Sequence, residues 1–367
     1  MVSTKGNKAV TTWLFIVCGL IIFMVAFGGL VRLTHSGLSI VEWNVISGVL
    51  PPIGEQAWQA EFAKYQQTPE FQLVNREMML DGFKGIFYLE WFHRLVARLA
   101  GLFVVIPLLY FLIKGIIPWR DSLAYMLIAL VFAFQGFLGW YMVSSGLVDR
   151  PAVSHYRLTV HLLVALGLLA LTLWTALNRV YGTPKLEKEV TRSASFWLAV
   201  LTTVILVIQI AYGGLMAGLK AGYVSNTFPL MFGYLIPPGL LSVVEPWWRN
   251  LIELAATVHF THRWFAFVVL IFAVILTIVT GRRGASQTIT KSLLLLIVLA
   301  CFQIVLGVSV IWMHVPIVLA LLHQSTAMAM FVVLIFVDQR ILGEGVGQAS
   351  QVSSEGPLPG SKSTIAP

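Results

Sequence analysis

The amino-acid sequence predicts an all-α integral membrane protein whose eight transmembrane helices form two tandem four-helix bundles. Of the 367 residues, 58% are hydrophobic and only 11% are charged, and the mean hydropathy is +0.86. A soluble domain carries roughly 25% charged residues. Eight apolar segments reach the length of about 20 residues that a helix needs to cross the hydrocarbon core. Short motifs recur in the same order in the two halves of the chain, so each half is predicted to be a four-helix unit.

The apolar segments and the basic residues between them define the predicted topology. Basic residues lie near both ends of the chain and in the short loops after the even-numbered segments, so the positive-inside rule places both termini in the cytoplasm. The first apolar run exceeds a signal-peptide core and lacks a cleavage motif, so it is predicted to be a retained helix. With no room for an organelle transit peptide, we expect a bacterial inner-membrane protein. The predicted spans are 12–33, 89–113, 121–143, 157–180, 195–219, 259–280, 290–313 and 317–340.

The same pattern predicts the domain organisation. We expect a cytoplasmic N-terminus (1–11), an N-terminal bundle (12–180) with a long outer loop (34–88), a cytoplasmic linker (181–194), a C-terminal bundle (195–341) and a cytoplasmic tail (342–367). The tail is rich in Gly, Ser, Pro and Gln and poor in large apolar residues, a composition typical of disorder.

The outer loop 34–88 contains two predicted helices that are too short and too polar to span the membrane. Trp58, Phe62 and Tyr65 fall at helical spacing and would form one aromatic face. Pro69 suits the first turn of a second helix, which would carry Phe71, Val74 and Met78. We expect both helices to cover the outer membrane interface, the alternative being a loop that merely rests on the bilayer. A second long outer loop covers 220–258.

An internal duplication underlies the two bundles. Residues 27–37 align with 212–222, so the pair Gly28-Gly29 matches Gly213-Gly214. Because each half contains an even number of spans, both halves enter the membrane in the same direction, and the predicted relation is a pseudo-two-fold axis along the membrane normal. Three further matches follow in order: His93-Arg94 with His262-Arg263, Gln135 and Gly139 with Gln303 and Gly307, and His161 with His323.

Four matched histidines lie near the outer ends of the even-numbered spans. A histidine at membrane depth is rare and marks a functional site by default, although a single one can be an interfacial hydrogen-bonding group. Histidines facing inward from two helices of a bundle are suited to holding haem iron. The sequence has no HExxH motif or carboxylate cluster, and its two cysteines, Cys18 and Cys301, lie in apolar runs typical of buried structural residues. Zinc and di-iron sites are therefore disfavoured. The predicted haem ligands are His93 with His161, and His262 with His323.

One position distinguishes the two halves. Glu90 precedes His93 by one turn, whereas His259 occupies the matching place before His262. Residues at i and i+3 share a helix face, so the carboxylate could orient the imidazole, carry protons or act as a base. The alternative is an ion pair with Arg94 or Arg98. The asymmetry predicts that one half holds a spectator and the other reacts with a bound guest.

Four arginines lie close to the same outer ends. The planar guanidinium group matches the carboxylates of a haem propionate. An arginine that extends to the membrane interface is the alternative. The candidates for propionate contacts are Arg94, Arg98, Arg157 and Arg263.

From about Thr12 to Leu342 the chain resembles the haem A synthases. The residues that carry this resemblance are the segment 27–52, EWFHRLVARLAG from Glu90, HYRLTVHL from His155, FTHRWFA from Phe260 and LLHQ from Leu321. The proteobacterial and mitochondrial branch is the most similar, because the cysteine pair that some bacterial members carry in the first outer loop is absent. A thiol-based role therefore cannot be transferred to this chain.

The resemblance implies an oxidation of the C8 methyl group of haem O to the formyl group of haem A, for cytochrome oxidase biogenesis. It implies that His262 and His323 hold a resident haem b that relays electrons, and that His93 and His161 hold the substrate with Glu90 as the catalytic carboxylate. Successive hydroxylations would give a geminal diol that loses water. An iron-centred oxidant and a carbocation trapped by water are both compatible with the sequence.

The implied partners are haem O and haem A, the lipid bilayer, haem O synthase, assembly factors of cytochrome oxidase and an electron donor that the sequence does not identify. A homo-oligomer is compatible with the sequence, whereas nucleic acid is not expected because the basic residues are scattered. Two alternatives use the same histidines. A di-haem b-type cytochrome exchanging electrons with quinone predicts equivalent pockets, and a haem transporter or chaperone predicts labile haem.

Overall fold

The computed structural model describes residues 7–44, 47–148, 151–185, 188–191 and 193–346. Eight helices in these ranges are long and apolar enough to cross a membrane, which confirms the predicted number of spans. They are α1 (Lys8–Leu33), α4 (Leu80–Ile113), α5 (Leu123–Ser144), α6 (His155–Tyr181), α8 (Ala194–Gly218), α10 (Ala255–Arg282), α11 (Gln287–Trp312) and α12 (Ile317–Glu344). The short helices are α2 (Glu55–Gln66), α3 (Pro69–Leu73), α7 (Lys188–Thr191) and α9 (Asn250–Glu253).

The long helices pack as two rings of four. In the first ring α1 contacts α4 and α6, and α5 closes the ring by contacting the same two helices. In the second ring α8 contacts α10 and α12, and α11 closes it in the same way. The two helices that carry the predicted ligands therefore face each other across each ring, as a ligand held between them requires.

The two rings meet along α1, α6, α8 and α12. Helix α6 packs against α8 and α12, and α1 packs against α12. Exchanging the halves converts the α1–α12 contact into the α6–α8 contact and leaves the α6–α12 contact unchanged. These are the contacts that a pseudo-two-fold axis requires, and the axis itself stays a prediction. The shared core consists of buried aliphatic side chains such as Leu166, Leu169, Met330 and Leu334.

Side-chain caps begin several of these helices. The amide group of Asn7 accepts a hydrogen bond from the backbone N–H of Ala9 at 2.9 Å and so begins α1. Ser193 caps α8, and Ser286 caps α11, each accepting a bond from a backbone N–H three residues later. Each cap satisfies a donor that the first helical turn leaves without an intrahelical partner.

Four predicted boundaries differ from the structure by four residues or more, and the first is the start of α1, at Lys8 instead of 12. Helix α4 begins at Leu80 instead of 89, which shortens the first outer loop to 34–79, and α10 begins at Ala255 instead of 259. Asp81 and Lys84 lower the hydropathy of the α4 extension, so the extension lacks the signature of a span. Helix α12 ends at Glu344, inside the predicted tail, and residues 347–367 of that tail lie outside the described residues.

The first outer loop is anchored by a cluster of aromatic rings. The predicted aromatic face of α2 is confirmed, because Trp58 and Tyr65 are buried and Phe62 packs beside them. This face contacts the α4 extension: the ring centroids of Tyr65 and Phe83 are 5.2 Å apart, and those of Trp58 and Phe87 are 5.0 Å apart. The cluster therefore fixes the loop to the outer end of the N-terminal ring. The predicted position of the loop at the membrane interface stays a prediction.

Helix α3 extends this anchor. It begins at Pro69 as predicted, with Thr68 as its cap. It ends at Leu73, so the predicted continuation through Val74 and Met78 is wrong. The carboxylate of Glu70 is buried and lies 3.4 Å from the Tyr65 hydroxyl, which donates to it. Burial raises the pKa of Glu70 to about 7 and that of Tyr65 to about 12.

The two cysteines differ in their surroundings. Cys18 is buried in the core of the N-terminal ring, as predicted. Cys301 is exposed on α11, so the prediction of a buried residue is wrong there. Its neighbours Val298, Phe302 and Val305 are also exposed apolar residues, which is typical of a helix face directed at lipid.

We expect Phe83→Ala to release the first outer loop. The Phe83 ring is fully buried, and truncating such a ring costs about 3–5 kcal/mol. Limited proteolysis of the purified protein should show faster cleavage between residues 55 and 79. Leu73→Ala is the control, because Leu73 is 65% exposed. Equal cleavage of both variants would contradict the anchoring role of the cluster.

Candidate functional site

The four predicted histidines lie on helices that face each other within a ring. His161, His262 and His323 are about two turns into α6, α10 and α12, near the helix starts as predicted. His93 lies almost four turns into α4, because that helix begins earlier than the sequence indicates. All four side chains are only partly buried. The imidazoles are thus held by helices but are not enclosed by packing.

The geometry of the C-terminal pair fits a shared metal ion. The ring centroids of His262 and His323 are 6.2 Å apart, with the planes inclined at 72°. An imidazole nitrogen binds a transition metal at about 2 Å, so two rings on opposite sides of one ion have centroids roughly 6 Å apart. Among the described residues there is no group of three or more His, Cys, Asp or Glu that could hold a metal. Two facing imidazoles would suit a haem whose iron takes two ligands from the protein.

Each of the four histidines lies against a glycine of a neighbouring helix in its ring. A Cβ atom added to any of these glycines would lie between 3.0 and 3.6 Å from the imidazole. The four pairs are Gly28 with His93, Gly139 with His161, Gly213 with His262, and Gly307 with His323. The glycines that the duplication matched in the sequence therefore have matching neighbours in the structure. They keep the space beside each ring free of side chains.

Two glutamines tie neighbouring helices to the backbone of the predicted histidine ligands. The amide of Gln135 on α5 donates to the backbone carbonyl of His161 at 3.0 Å. The amide of Gln209 on α8 donates to the carbonyl of His262 at 2.9 Å. Sequence reasoning identified Gln135 only as part of the repeat and missed Gln209. A polar side chain inside an apolar span is the signal that could have found it.

Glu90 is buried and paired. Its side chain is 5% exposed, and Arg94 Nε donates to Glu90 Oε1 at 2.6 Å. The ion pair considered as an alternative for Glu90 is therefore present, but in a buried place. In the second half, His259 Nε2 lies 3.0 Å from Arg263 Nη2. Both halves therefore have a side chain paired with the arginine four residues later. That side chain is the carboxylate of Glu90 in the N-terminal half and the imidazole of His259 in the C-terminal half.

Arg94, Arg98 and Arg263 attach the two long loops to α4 and α10, the helices that carry His93 and His262. Arg94 donates through Nη1 to the carbonyl of Glu42 and through Nη2 to that of Ile40, both at 3.0 Å. Arg98 donates to the carbonyl of Asn44 at 2.8 Å, and Arg263 donates to that of Leu230 at 3.4 Å. Loop positions are thereby linked to the two buried pairs.

Arg157 makes a different contact. It donates to the carbonyl of Tyr141 at 2.6 Å and lies over the Tyr141 ring, with its guanidinium carbon 3.7 Å from the centroid. This joins α6 to α5 at their outer ends. The propionate contacts predicted for the four arginines stay a prediction, and any such contact must be made beside these protein partners.

A cleft of about 360 Å³ lies between the first outer loop and α4. Arg94 and Arg98 form part of its wall, so it opens next to the buried Glu90–Arg94 pair. Aromatic and aliphatic side chains, including Phe87, Trp91 and Leu50, complete the lining. Sequence reasoning missed the cleft, because the loop carbonyls that shape it leave no pattern in the residue types.

Comparison with known proteins identifies the family. Residues 11–335 match the profile of the COX15-CtaA family, described as a cytochrome oxidase assembly protein. The chain belongs to this family. The predicted resemblance is thus confirmed over nearly all of the range from which it was inferred.

Proteins named Heme A synthase are similar to this member of the COX15-CtaA family over almost their whole length. The chain is 40% identical to the one from Nitrosospira multiformis over 335 residues, which is 91% of this chain and 94% of that protein. It is 43% identical to the one from Chelativorans sp. over 324 residues, or 88% of each chain. It is 40% identical to the one from Wolbachia sp. subsp. Brugia malayi over 328 residues, or 89% and 95%.

We expect Gly307→Ala to disturb His323 and Gly213→Ala to be tolerated at His262. The new Cβ would lie 3.0 Å from His323 Cε1 in the first variant and 3.5 Å from His262 Cε1 in the second. Only the first distance is too short for ordinary contact, and such overpacking costs about 1–3 kcal/mol. The haem content and optical spectrum of the purified variants measure the difference. Equal haem content in both would show that the close approach is unimportant.

Proposed function

We propose that the chain is a haem A synthase, a membrane oxidoreductase that converts the C8 methyl group of haem O into the formyl group of haem A for cytochrome oxidase. Membership of the COX15-CtaA family and about 40% identity to proteins named Heme A synthase support this. The single observation that carries the proposal is the difference between matched sites, with Glu90 paired to Arg94 in one half and His259 paired to Arg263 in the other.

We assign His262 and His323 to a resident haem b, and His93 and His161 to the substrate haem O. The 6.2 Å separation of the C-terminal rings fits two imidazoles that would hold one haem iron. Glu90, one helical turn before His93 in α4, supports the second assignment, because a group that undergoes chemistry needs an acid or base within reach. When bound, haem b supplies a one-electron carrier.

The protein's own groups would position the substrate and move its protons. Arg94 holds one oxygen of Glu90, which would leave the other oxygen to accept or return a proton while the bound haem O is oxidised. Arg94 also holds the backbone of residues 40 and 42, which keeps the first outer loop over this end of the ring. The loop would limit the access of water to the intermediates.

We further propose that the protein lies in the bacterial inner membrane with both termini in the cytoplasm. An even number of spans places both termini on the same side, and the loops on that side carry most of the basic residues. The histidine pairs then lie toward the outer face. Haem O synthase, assembly factors of cytochrome oxidase and an electron donor are the proposed partners. The two bundles, 12–180 and 195–341, would act as substrate and relay units.

Expression in cells that make haem O but lack haem A tests the function. Extracted haems should contain haem A, together with the hydroxylated precursor, when analysed by mass spectrometry. Cells that cannot make haem O provide the control, since they should yield neither compound. If the wild-type chain produces neither haem A nor the precursor, the proposed activity is wrong. A di-haem cytochrome or a haem carrier would give that result.

We expect Glu90→Gln to retain haem and to lose conversion by about 10²-fold or more, the usual contribution of a positioned acid or base. The amide oxygen keeps a hydrogen-bond acceptor for Arg94, which also donates to the carbonyls of Glu42 and Ile40, so the guanidinium group keeps its hydrogen bonds although its counter-charge is lost. Glu253→Gln is the control, because Glu253 forms its ion pair with Arg249 in the second outer loop. Undiminished conversion by Glu90→Gln would remove Glu90 from the mechanism.

His262→Ala should remove the resident haem b, because one of the two histidines that would hold its iron is lost. Optical spectra of the purified variant should show loss of the haem b bands. His314→Ala is the matched control, since His314 lies exposed at the outer end of α11 and contacts Asn226. Retention of haem b in His262→Ala would show that the ligands are misassigned.

A further inference from the structure

Gly28-Gly29 on α1 and Gly213-Gly214 on α8 are matched by the duplication, and in each pair the two glycines lie against different helices. Gly28 lies against His93 of its own ring, whereas a Cβ on Gly29 would overlap the Gln324 carboxamide of α12, in the other ring. On α8, Gly213 lies against His262, and a Cβ on Gly214 would come within 2.9 Å of Thr159 Oγ1 on α6. The first glycine of each pair therefore faces a histidine, and the second accepts a side chain from the opposite ring.

Gln324 makes the polar contact in this arrangement. Its Nε2 donates to the carbonyl of Val25 on α1 at 2.6 Å. That carbonyl belongs to the helical turn that contains Gly28 and Gly29, and Gln324 directly follows His323. One side chain thus joins the helix segment of one ligand to the turn that touches another ligand, His93. The contact crosses from the C-terminal ring to the N-terminal ring.

The matching contact, between Thr159 of the N-terminal ring and Gly214 of the C-terminal ring, contains no hydrogen bond between the two rings. The hydroxyl of Thr159 donates to the carbonyl of His155 in its own helix at 2.8 Å, so Thr159 meets Gly214 through packing. Leu162 occupies the place after His161 that Gln324 occupies after His323. Among the described residues, the polar link from the position that directly follows a histidine therefore exists in one direction only, from the pair assigned to the resident haem toward the pair assigned to the substrate.

We propose that Gln324 is a positioning residue that couples the two histidine pairs. It fixes α12, and with it His323, to the turn of α1 that packs against His93. When a haem fills the N-terminal pair, the displacement of His93 against Gly28 moves this turn, and Gln324 passes the movement to His323. The identities of the two haems rest on the proposed function, whereas the link itself rests on the contacts of Gln324.

The midpoint potential of the resident haem measures this coupling. Full-length protein is purified from cells that lack haem O, and the potential is determined before and after haem O is added. We expect a shift in the wild type. Gln324→Met keeps the length of the side chain but removes the amide donor, and it should lose at least half of the shift. Thr326→Ala is the control on the same helix, because its hydroxyl bonds only to Leu322 of α12.

A second pair of variants tests the contact itself. Gly29→Ala places a methyl group in the volume of the Gln324 carboxamide, so we expect a low yield of folded protein. Adding Gln324→Ala removes that carboxamide and should raise the yield by about twofold or more, the signature of two residues in direct contact. A double variant no better than Gly29→Ala would overturn the contact.

The outcomes separate this inference from the proposed function. A full shift in Gln324→Met, or no shift in the wild type, overturns the coupling even where haem A is made normally. Failure of the wild type to make haem A overturns the function, while a shift that depends on Gln324 would still support the coupling.

Discussion

Polar groups inside a bilayer must find partners within the protein, and the rest of this structure follows from that constraint. Most hydroxyls in the spans satisfy it locally: Thr172 and Thr277, for example, donate to carbonyls four residues earlier in their own helices. Gln135, Gln209 and Gln324 satisfy it by crossing to a neighbouring helix. Among the four histidines, His161 Nδ1 is buried without a hydrogen-bond partner among the described residues. The imidazoles of His262 and His323 lie within hydrogen-bond reach of the backbone carbonyls of Gln209 and Gln303, a contact that orients a histidine ring for ligand binding.

Arg94 forms the buried ion pair with Glu90 and also donates to two carbonyls of the first outer loop. One arginine therefore connects the candidate reactive carboxylate to the loop. Removing a single partner from such a pair leaves an uncompensated charge in a medium that cannot solvate it. The second half keeps the geometry with His259 and Arg263, and there the group beside the arginine need not carry a charge. A duplicated architecture can thus diverge in function through one residue while its packing stays the same.

The sequence predicts the eight spans, the four histidines, the difference between Glu90 and His259 and the aromatic face of α2, because each is encoded by residue type and spacing. It does not predict the start of α4, since Phe83 and Phe87 are explained only by the presence of α2. Nor does it predict the loop contacts of Arg94 and Arg98, whose partners are backbone carbonyls about 50 positions away. The exposure of Cys301 could not be predicted either, because an apolar run does not distinguish a helix face toward lipid from one toward the core.

The placement of the ligand-bearing helices on opposite sides of each ring has a consequence for assembly. A flat ligand held between opposite helices keeps the other two apart at that level, and the glycines beside the imidazoles leave little side-chain volume to replace it. A ring without its ligand therefore lacks part of its own interior. Since a ligand that binds the folded state adds to its stability by mass action, haem supply would set how much of the newly made chain survives proteolysis. The cofactor would then act as a structural component before it takes part in any reaction.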